Sequence, residues 1–468
     1  MSTFSGIGTA ASALATARRG MDVVGQNIAN QKTEGYTRQR VTAHAVNVAQ
    51  LGRFSNGVSA GNGVAVDGIV RLGDDMLDGR VRAAVAASGY WSTRALAATT
   101  AEAALAEPTA DGLSARLSKF WSGWQDLANT PDSGAARAVL LESGKELAEH
   151  IASGYRAVSE QWTDGRAAVD RTVEQVNAAA AQIAALNLEI RDALSSGRSA
   201  NELIDRRAVL AEDVAGMSGA TATLESDGTM TVRLDGNALV SSGDARRLTA
   251  SGPASIEAAG RVSIAWADAP GVTVTVAAGQ LGGMLSVLAP AADGGMLAGL
   301  ARTYDTLATT LAERVNAQHR AGATSAGQPG GDFFAIDPST PPALGLRIAV
   351  GSAADLALAA PGAGANDASN ADALSQLGRG PGAPDALWTD QVMSFGVSTA
   401  GDVQRARLAE TTTATAVSAQ QSVAAVDGDE ETISLMTYQS AYQAAARVLT
   451  AVDEALDVVI NRMGLVGR

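Results

Sequence analysis

Two long stretches of helical periodicity, one near each end of the chain, frame everything between them. In the C-terminal stretch Leu435, Tyr438, Tyr442, Ala445, Leu449, Val452, Leu456, Val459 and Met463 recur at alternating 3- and 4-residue spacing, and no Gly or Pro interrupts Asp429 to Met463. That spacing is the seam of a coiled coil. In the N-terminal stretch Phe4, Ile7, Ala11, Leu14, Ala17, Met21, Val24 and Ile28 form a looser seam on one predicted helix over 3–30. Two such seams predict a coiled coil closed within the chain or against neighbours.

Between them the pattern changes repeatedly. Residues 36–72 read as extended chain: Val58 to Val70 alternates and carries Gly57, Gly61, Gly63 and Gly68. From about 75 to 215 the period is helical again. One stripe holds Leu113, Leu117, Phe120, Trp124 and Leu127; another holds Val169, Val173, Val176, Ala180, Ile183, Asn187, Ile190 and Leu194. Asn187 either sits in the core and fixes register or faces solvent at a helix edge. Strands follow. Thr229 to Leu234 alternates, Asp235-Gly236 supplies a hairpin turn, and Asn237 to Val240 returns. Val262 to Trp266 and Val272 to Val276 alternate in the same way around a turn at Asp268 to Gly271. A helix is predicted over 297–320, a strand near Leu346–Val350 in the Gly- and Pro-rich segment 321–385, and helix again from about 386 onward.

Composition narrows the function. A length of 468 residues gives room for about two to four domains. The formal charge is −14 and only 3 of the 35 basic residues are Lys, which argues against a nucleic-acid surface. Cysteine is absent, which removes disulfides, thiol nucleophiles and thiolate metal sites and suits passage through both reducing and oxidising compartments. No basic leader with an apolar core is visible. The uncharged stretch Gln280 to Ala292 is too short to span a bilayer and holds Gly282, Gly283 and Pro290. A soluble chain, not inserted in a membrane, is expected.

Candidate chemistry is sparse. His44, His150 and His319 lie far apart with no metal-ligand spacing, so no metal and no cofactor are expected. Gly57-Val-Ser-Ala-Gly61 matches the nucleophile-elbow pattern around Ser59, but that elbow needs a strand-to-helix turn and the residues after Ser59 read as more strand. Asp427 to Glu431 lacks the spaced ligands of a calcium loop; Asp427 with Glu430 fits a capping box opening the last helix. Asp74-Asp75 reads as a solvated turn. No catalytic residue is assigned.

The strongest signal is a resemblance. Asn27-Ile-Ala-Asn30, Thr33 and Gly35-Tyr-Thr-Arg-Gln39 resemble the bacterial flagellar rod, hook and hook-associated proteins; the last segment resembles the hook-associated protein 1 family in particular, with Thr37 where Ser is common. Ala200 to Leu210, Val315-Asn316 with His319, Gly322, Gly327 and Gly331-Asp-Phe-Phe334, and Val426 to Arg447 resemble further stretches of that family.

The resemblance implies a structural protein at the junction of hook and filament, exported unfolded by the flagellar type III route and assembled as a ring of copies. Its implied partners are itself, the hook protein below, the second junction protein and filament above, and a cytoplasmic export chaperone on the C-terminal helix. Its implied location is extracellular after a transient cytoplasmic stage. The expected fold is multidomain α plus β. Terminal helices 1–35 and 430–468 form the inner assembly layer and are expected to be disordered in the monomer. Residues 36–215, 297–320 and 386–429 form a helical bundle, and 216–296 with 321–385 form a β-rich outer insert, which either makes lateral contacts or simply thickens the ring. The alternatives are another axial protein (hook or distal rod), a secreted serine hydrolase using Ser59, or an adhesin-like binding module built on the insert.

Overall fold

The computed structural model describes residues 3–46, 61–364, 366–458 and 460. Helix α1 (Thr3–Ala29) is followed by an antiparallel hairpin, β1 (Gln39–Ala45) with β2 (Val64–Arg71), paired from Gln39 opposite Arg71. Four helices come next: α2 (Asp75–Leu105), α3 (Leu113–Asn129), α4 (Gly134–Ser195) and α5 (Asn201–Ser218). At 62 residues, α4 is about 93 Å long and forms the spine of the molecule. Asp74 does more than make a turn: its carboxylate accepts from the amides of Met76 and Leu77 and caps α2.

Two small antiparallel sheets lie beside α4. One is β3 (Thr221–Leu224), β4 (Met230–Leu234), β5 (Asn237–Ser241) and β6 (Asp244–Ala245); the other is β7 (Leu248–Ser251), β8 (Ser263–Trp266) and β9 (Ala269–Val274). The Asp235-Gly236 turn forms as its residues demand, with positive φ at both positions (52° and 74°). The second hairpin is tighter than its sequence suggests. Trp266 already pairs with Ala269, so the turn sits at Ala267-Asp268 and Pro270-Gly271 belongs to the strand.

The chain returns through α6 (Gly279–Val287) and α7 (Met296–Arg320), then β10 (Phe334–Ile336), α8 (Pro342–Gly345), β11 (Leu346–Ile348) and α9 (Ser369–Ser375). It ends in α10 (Pro384–Ala424) and α11 (Gly428–Asp457). Helix α10 runs antiparallel to α2: Gln420 bonds Asp78, Arg94 bonds Asp402, and Trp388 bonds Glu107 just beyond α2. Asp402 is buried and takes two guanidinium bonds from Arg94 and one from Arg405, which pins the register of the two helices.

One hydrophobic core runs through α3, α4, α7 and both β-rich regions. The α3 stripe is buried in full; its Phe120 packs against Phe333 and Phe334, and its Trp124 against Phe333, at centroid separations of 5.2–5.7 Å. The α4 stripe is buried from Val169 to Ile190, whereas Leu194 at its end is exposed. Residues 216–296 and 321–385 thus share this core with the helices, through Val232, Leu239 and Trp266 in the first and Phe333 and Leu346 in the second.

Candidate assembly site at the terminal helices

Helices α1 and α11 pack antiparallel. Gly6 lies opposite Val452, Gly20 opposite Tyr438 and Asn27 opposite Glu431, so facing residue numbers always total 458. The register is uninterrupted because neither helix holds a Pro. The face that α1 turns to its partner is lined by small residues: Ala10, Ala17, Gly20, Val23 and Val24 are buried. A β-carbon on Gly20 would overlap the Tyr438 ring. Glycine there lets the two backbones approach closely.

The seam residues fall accordingly. On α11, Ala445 is buried, Leu435, Tyr438, Leu449, Val452 and Leu456 are half-buried, and Tyr442 is exposed at the edge. On α1, Ala17 and Val24 are buried, Ile7, Leu14 and Met21 are half-buried, and Ala11 and Ile28 are exposed. The side chains of Phe4, Val459 and Met463 lie outside the described residues, as does Ser59 with its motif. Beyond that motif, Val64–Arg71 is strand.

At the foot of the pair a polar latch joins four distant segments. Asn27 fills its whole hydrogen-bonding capacity. Its Nδ2 donates to Gln39 O (2.9 Å) and Glu431 Oε2 (3.0 Å), while its Oδ1 accepts from Tyr36 OH (2.9 Å) and Gln39 N (3.0 Å). Arg38 Nε donates to Glu431 Oε1 at 2.7 Å, its Nη1 donates to Glu430 at 2.6 Å, and its backbone N–H donates to Ala424 O at the end of α10. One turn away, Asp205 of α5 accepts from Thr37 N and from Arg71 Nε, Arg71 also reaches Thr37 Oγ1, and Asn201 Nδ2 donates to Gln39 Oε1. Gly35 completes the loop. Its φ is +74°, and a β-carbon there would overlap Val209 of α5.

The electrostatics follow from this burial. Burial works against the Arg38 charge, but its hydrogen bonds to Glu430 and Glu431 and their charges outweigh it and raise its pKa. Burial, then the charges of Asp205, Glu202 and Glu431, push the Tyr36 hydroxyl up to about 12, so it remains a donor to Asn27 across the physiological range. Asp427 caps α11 by accepting from Asp429 N and Glu430 N. The reciprocal half of the capping box is diverted, because the Glu430 side chain reaches Arg38 instead of turning back. Glu431, read from the sequence only as part of an acidic cap, is 2% exposed and is the carboxylate at the centre of the latch.

The other motif residues are structural anchors of the body. Asn316 Nδ2 donates to Phe334 O, and its Oδ1 accepts from the amides of Phe333 and Phe334. His319 is buried between Gly331 O at Nδ1 and the Ala357 amide at Nε2, which fits the neutral tautomer protonated on Nδ1. His44 is exposed and paired with Asp67, while His150 is half-buried. Asn187 is fully buried and joins α4 to the first sheet: Nδ2 donates to Met230 O and Ser242 O, and Oδ1 accepts from Met230 N and Arg207. Arg207 is itself buried without a carboxylate partner, and burial lowers its pKa to about 10. Among the described residues no cluster of three or more His, Cys, Asp or Glu side chains could hold a metal ion.

Three family models match the chain. Residues 7–37, which are α1 and the latch loop, match the flagella basal body rod protein model. Residues 420–463, which include the end of α10 and the whole of α11, match the C-terminal model of flagellar basal body rod FlgEFG proteins. Residues 98–334 match the helical domain of the flagellar hook-associated protein FlgK. Flagellar hook-associated protein 1 of Bacillus subtilis (strain 168) is 30% identical over an alignment of 508 positions that covers both chains in full. The protein of the same name in Escherichia coli (strain K12) is 29% identical over 338 residues, 70% of this chain and 60% of its own. The flagellar hook junction protein FlgK from Burkholderia pseudomallei shares the fold, with a TM-score of 0.62 over 74% of this chain and all of that one at 16% identity. The rod-type models at the two ends are common ground among axial proteins; the central helical domain separates this chain from hook and rod proteins, and the chain belongs to the flagellar hook-associated protein 1 family.

Proposed function

We propose that this chain is a structural, non-enzymatic junction between flagellar hook and filament, assembled as a ring of copies through α1 and α11. The observation that carries this is the incomplete cover of α11. Helix α1 reaches only one face and leaves the large seam residues half-buried, while Ile433 and Met436 are 65% and 62% exposed on the other side. Exposed apolar residues on a helix of this length mark a surface to be covered by other protein.

In this reading the ring contacts the hook protein below and the second junction protein and filament above, and it lies outside the cell. The small side chains between α1 and α11 bury little apolar area, and the four glycines of α1 each cost roughly 1 kcal/mol in helix propensity. Both helices are therefore disordered before assembly, which suits export through a narrow channel, and they fold together on docking. The bare seam of 429–468 is the site of an export chaperone. The charge of −14 and the absence, among the described residues, of a helix long and apolar enough to cross a membrane agree with partners that are proteins rather than nucleic acid or bilayer.

A strain lacking the chain, complemented with full-length protein or with residues 1–428, tests the function. Hooks without filaments and flagellin shed as monomers, cured by the full-length chain alone, are expected. Filaments that persist without the chain would refute the junction role.

A further inference from the structure

Tyr155 and Trp162 stand seven residues apart on one face of α4 and are 3% and 2% exposed. Trp162 is satisfied, since its Nε1 donates to Leu288 O at 3.2 Å. The Tyr155 hydroxyl makes no hydrogen bond with any described residue, although a buried phenol usually has a partner. Tyr155 and Trp162 instead line a cavity of about 390 Å³, bounded by α4, the β7–β8 connection, the segment joining α6 to α7, and α7 itself. That volume is in the range of small-ligand sites. The space exists because several wall residues are small: Ala258, Ala259 and Gly260 from the connection, and Ala298 and Ala301 from α7.

Two carboxylates border the same cavity, and neither forms an ion pair with a described residue. Asp305 Oδ1 accepts from the Ala343 amide at 3.0 Å, and its Oδ2 has no partner among the described residues. Glu257 Oε1 accepts from Ser159 Oγ at 3.0 Å. Burial raises the Asp305 pKa against the Ala343 bond, and the Glu257 charge adds to the rise. Burial also works against the Glu257 charge, but hydrogen bonds from its own backbone, Ser255 and Ser159 hold its carboxyl below the usual range. Arg302, the basic side chain at the cavity, is exposed and also lines the neighbouring cavity beside α10. It pairs with neither acid, so the cavity keeps a negative bias.

We propose that this cavity binds an alkylammonium group, the end of a lysine side chain or of a free amine. Its N–H donors meet Asp305 Oδ2 and the Tyr155 hydroxyl oxygen, the two polar atoms that the fold leaves without a partner. Its methylene stem lies against Ile256, Leu288 and Pro290, as long cationic side chains do on apolar surface. A cation beside Asp305 offsets the cost that burial imposes on its charge. An anionic ligand would meet two like charges, and a neutral one would leave them uncompensated. No residue of α1 or α11 takes part, so the site stands apart from the assembly reading above.

Full-length protein labelled with fluorotryptophan gives a fluorine NMR signal for each of its six tryptophans, and Trp162→Phe identifies the reporter in the cavity. Butylammonium is expected to shift the Trp162 signal saturably at neutral pH and to leave the others in place. Butyrate and butanol should not shift it. Asp305→Asn keeps an oxygen for the Ala343 amide and should weaken binding roughly tenfold or more. Tyr155→Phe keeps the ring and should weaken it roughly three- to tenfold. Acetyl-lysine methylamide separates the two sources, and either result sustains the site: tighter binding than butylammonium assigns a protein side chain, weaker binding a free amine. A Trp162 signal that neither amine moves, or that butyrate moves equally, would overturn the proposal and leave the cavity to water. So would undiminished binding in Asp305→Asn. The comparison of amine with butyrate uses the unaltered chain and holds even where a variant fails to fold.

Discussion

Arg38 holds Glu431 through a 2.7 Å contact between Nε and Oε1 that spans 393 residues of chain. The same carboxylate takes a hydrogen bond from Asn27, so α1, the loop before β1 and the first turn of α11 meet at one buried charge. Because Asn201 and Asp205 of α5 bind the adjacent Gln39 and Thr37, this is also where the terminal pair is tied to the body.

Replacing Glu431 with Ala leaves Arg38 and Asn27 without their shared acceptor. Removing one partner of a buried pair costs roughly 3 kcal/mol, enough to release a marginal helix pair. In isolated hook–junction assemblies, where α1 and α11 are folded, hydrogen exchange is expected to speed up along both helices and at residues 36–39, while amides in α3 and α7 keep their protection. Unchanged exchange at residues 36–39 would show that the latch does not couple the segments.

Gly20→Ala separates intrinsic helicity from fit. Helix propensity alone favours Ala by about 1 kcal/mol, but the added methyl overlaps the Tyr438 ring, and overpacking of this kind costs typically 1–3 kcal/mol. Swimming on soft agar should shrink in Gly20→Ala cells and recover when Tyr438→Ala is added. Full motility in the single variant would contradict the antiparallel register.

Asn187→Leu preserves volume and removes four hydrogen bonds. It strands Met230 N–H and Met230 O in the core and leaves Arg207 Nη1 with Gly228 O alone, at a cost of roughly 1–3 kcal/mol for each group left unmade. The urea midpoint of the purified protein is expected to fall. A midpoint equal to wild type would mean that water replaces the lost contacts.

His319 makes stability depend on pH. Burial, only partly opposed by its bond to Gly331 and the charge of Asp332, lowers its pKa in the folded protein below the ordinary value of 6.5. Between the two values the unfolded chain binds a proton that the folded chain does not, so stability rises with pH there. The stability is fully present above the unfolded value of about 6.5 and declines as pH falls below it toward the folded value, by up to about 1.4 kcal/mol per pH unit. Burial lowers the His150 pKa in the same direction, so the wild-type slope contains both. Urea midpoints measured from pH 7.5 to 5 should fall less steeply in His319→Gln than in wild type; equal slopes would place the titration elsewhere.

Much of this could be read from local pattern. The helical stripe from Leu113 to Leu127, the Asp235-Gly236 hairpin and the Asp427 cap form as their spacing and residue types dictate, because each depends on neighbours within a few residues. The family motifs were visible for the same reason, as short runs of unusual composition. What each motif residue does was not visible. Glu431 looked like one of several acids at a helix start, and Asn187 was open between core and surface; a partner hundreds or tens of residues away leaves no periodicity in the sequence.

By itself the sequence determined most of the long helices, the two terminal seams, the two central hairpins and the family to which the chain is related, while α6 and α9 were not legible in it. The tertiary structure decided how those seams are used. It turned the small residues of α1 toward α11 because Tyr438 needs the space above Gly20, and it set the large residues of α1 on the flank. It gathered Asn27, Arg38, Asp205 and Glu431 into one latch, and it drew both β-rich segments into the core around α4. Periodicity states that a helix has an apolar face. Which face meets which partner is settled only when volumes and hydrogen bonds from distant parts of the chain must be satisfied together.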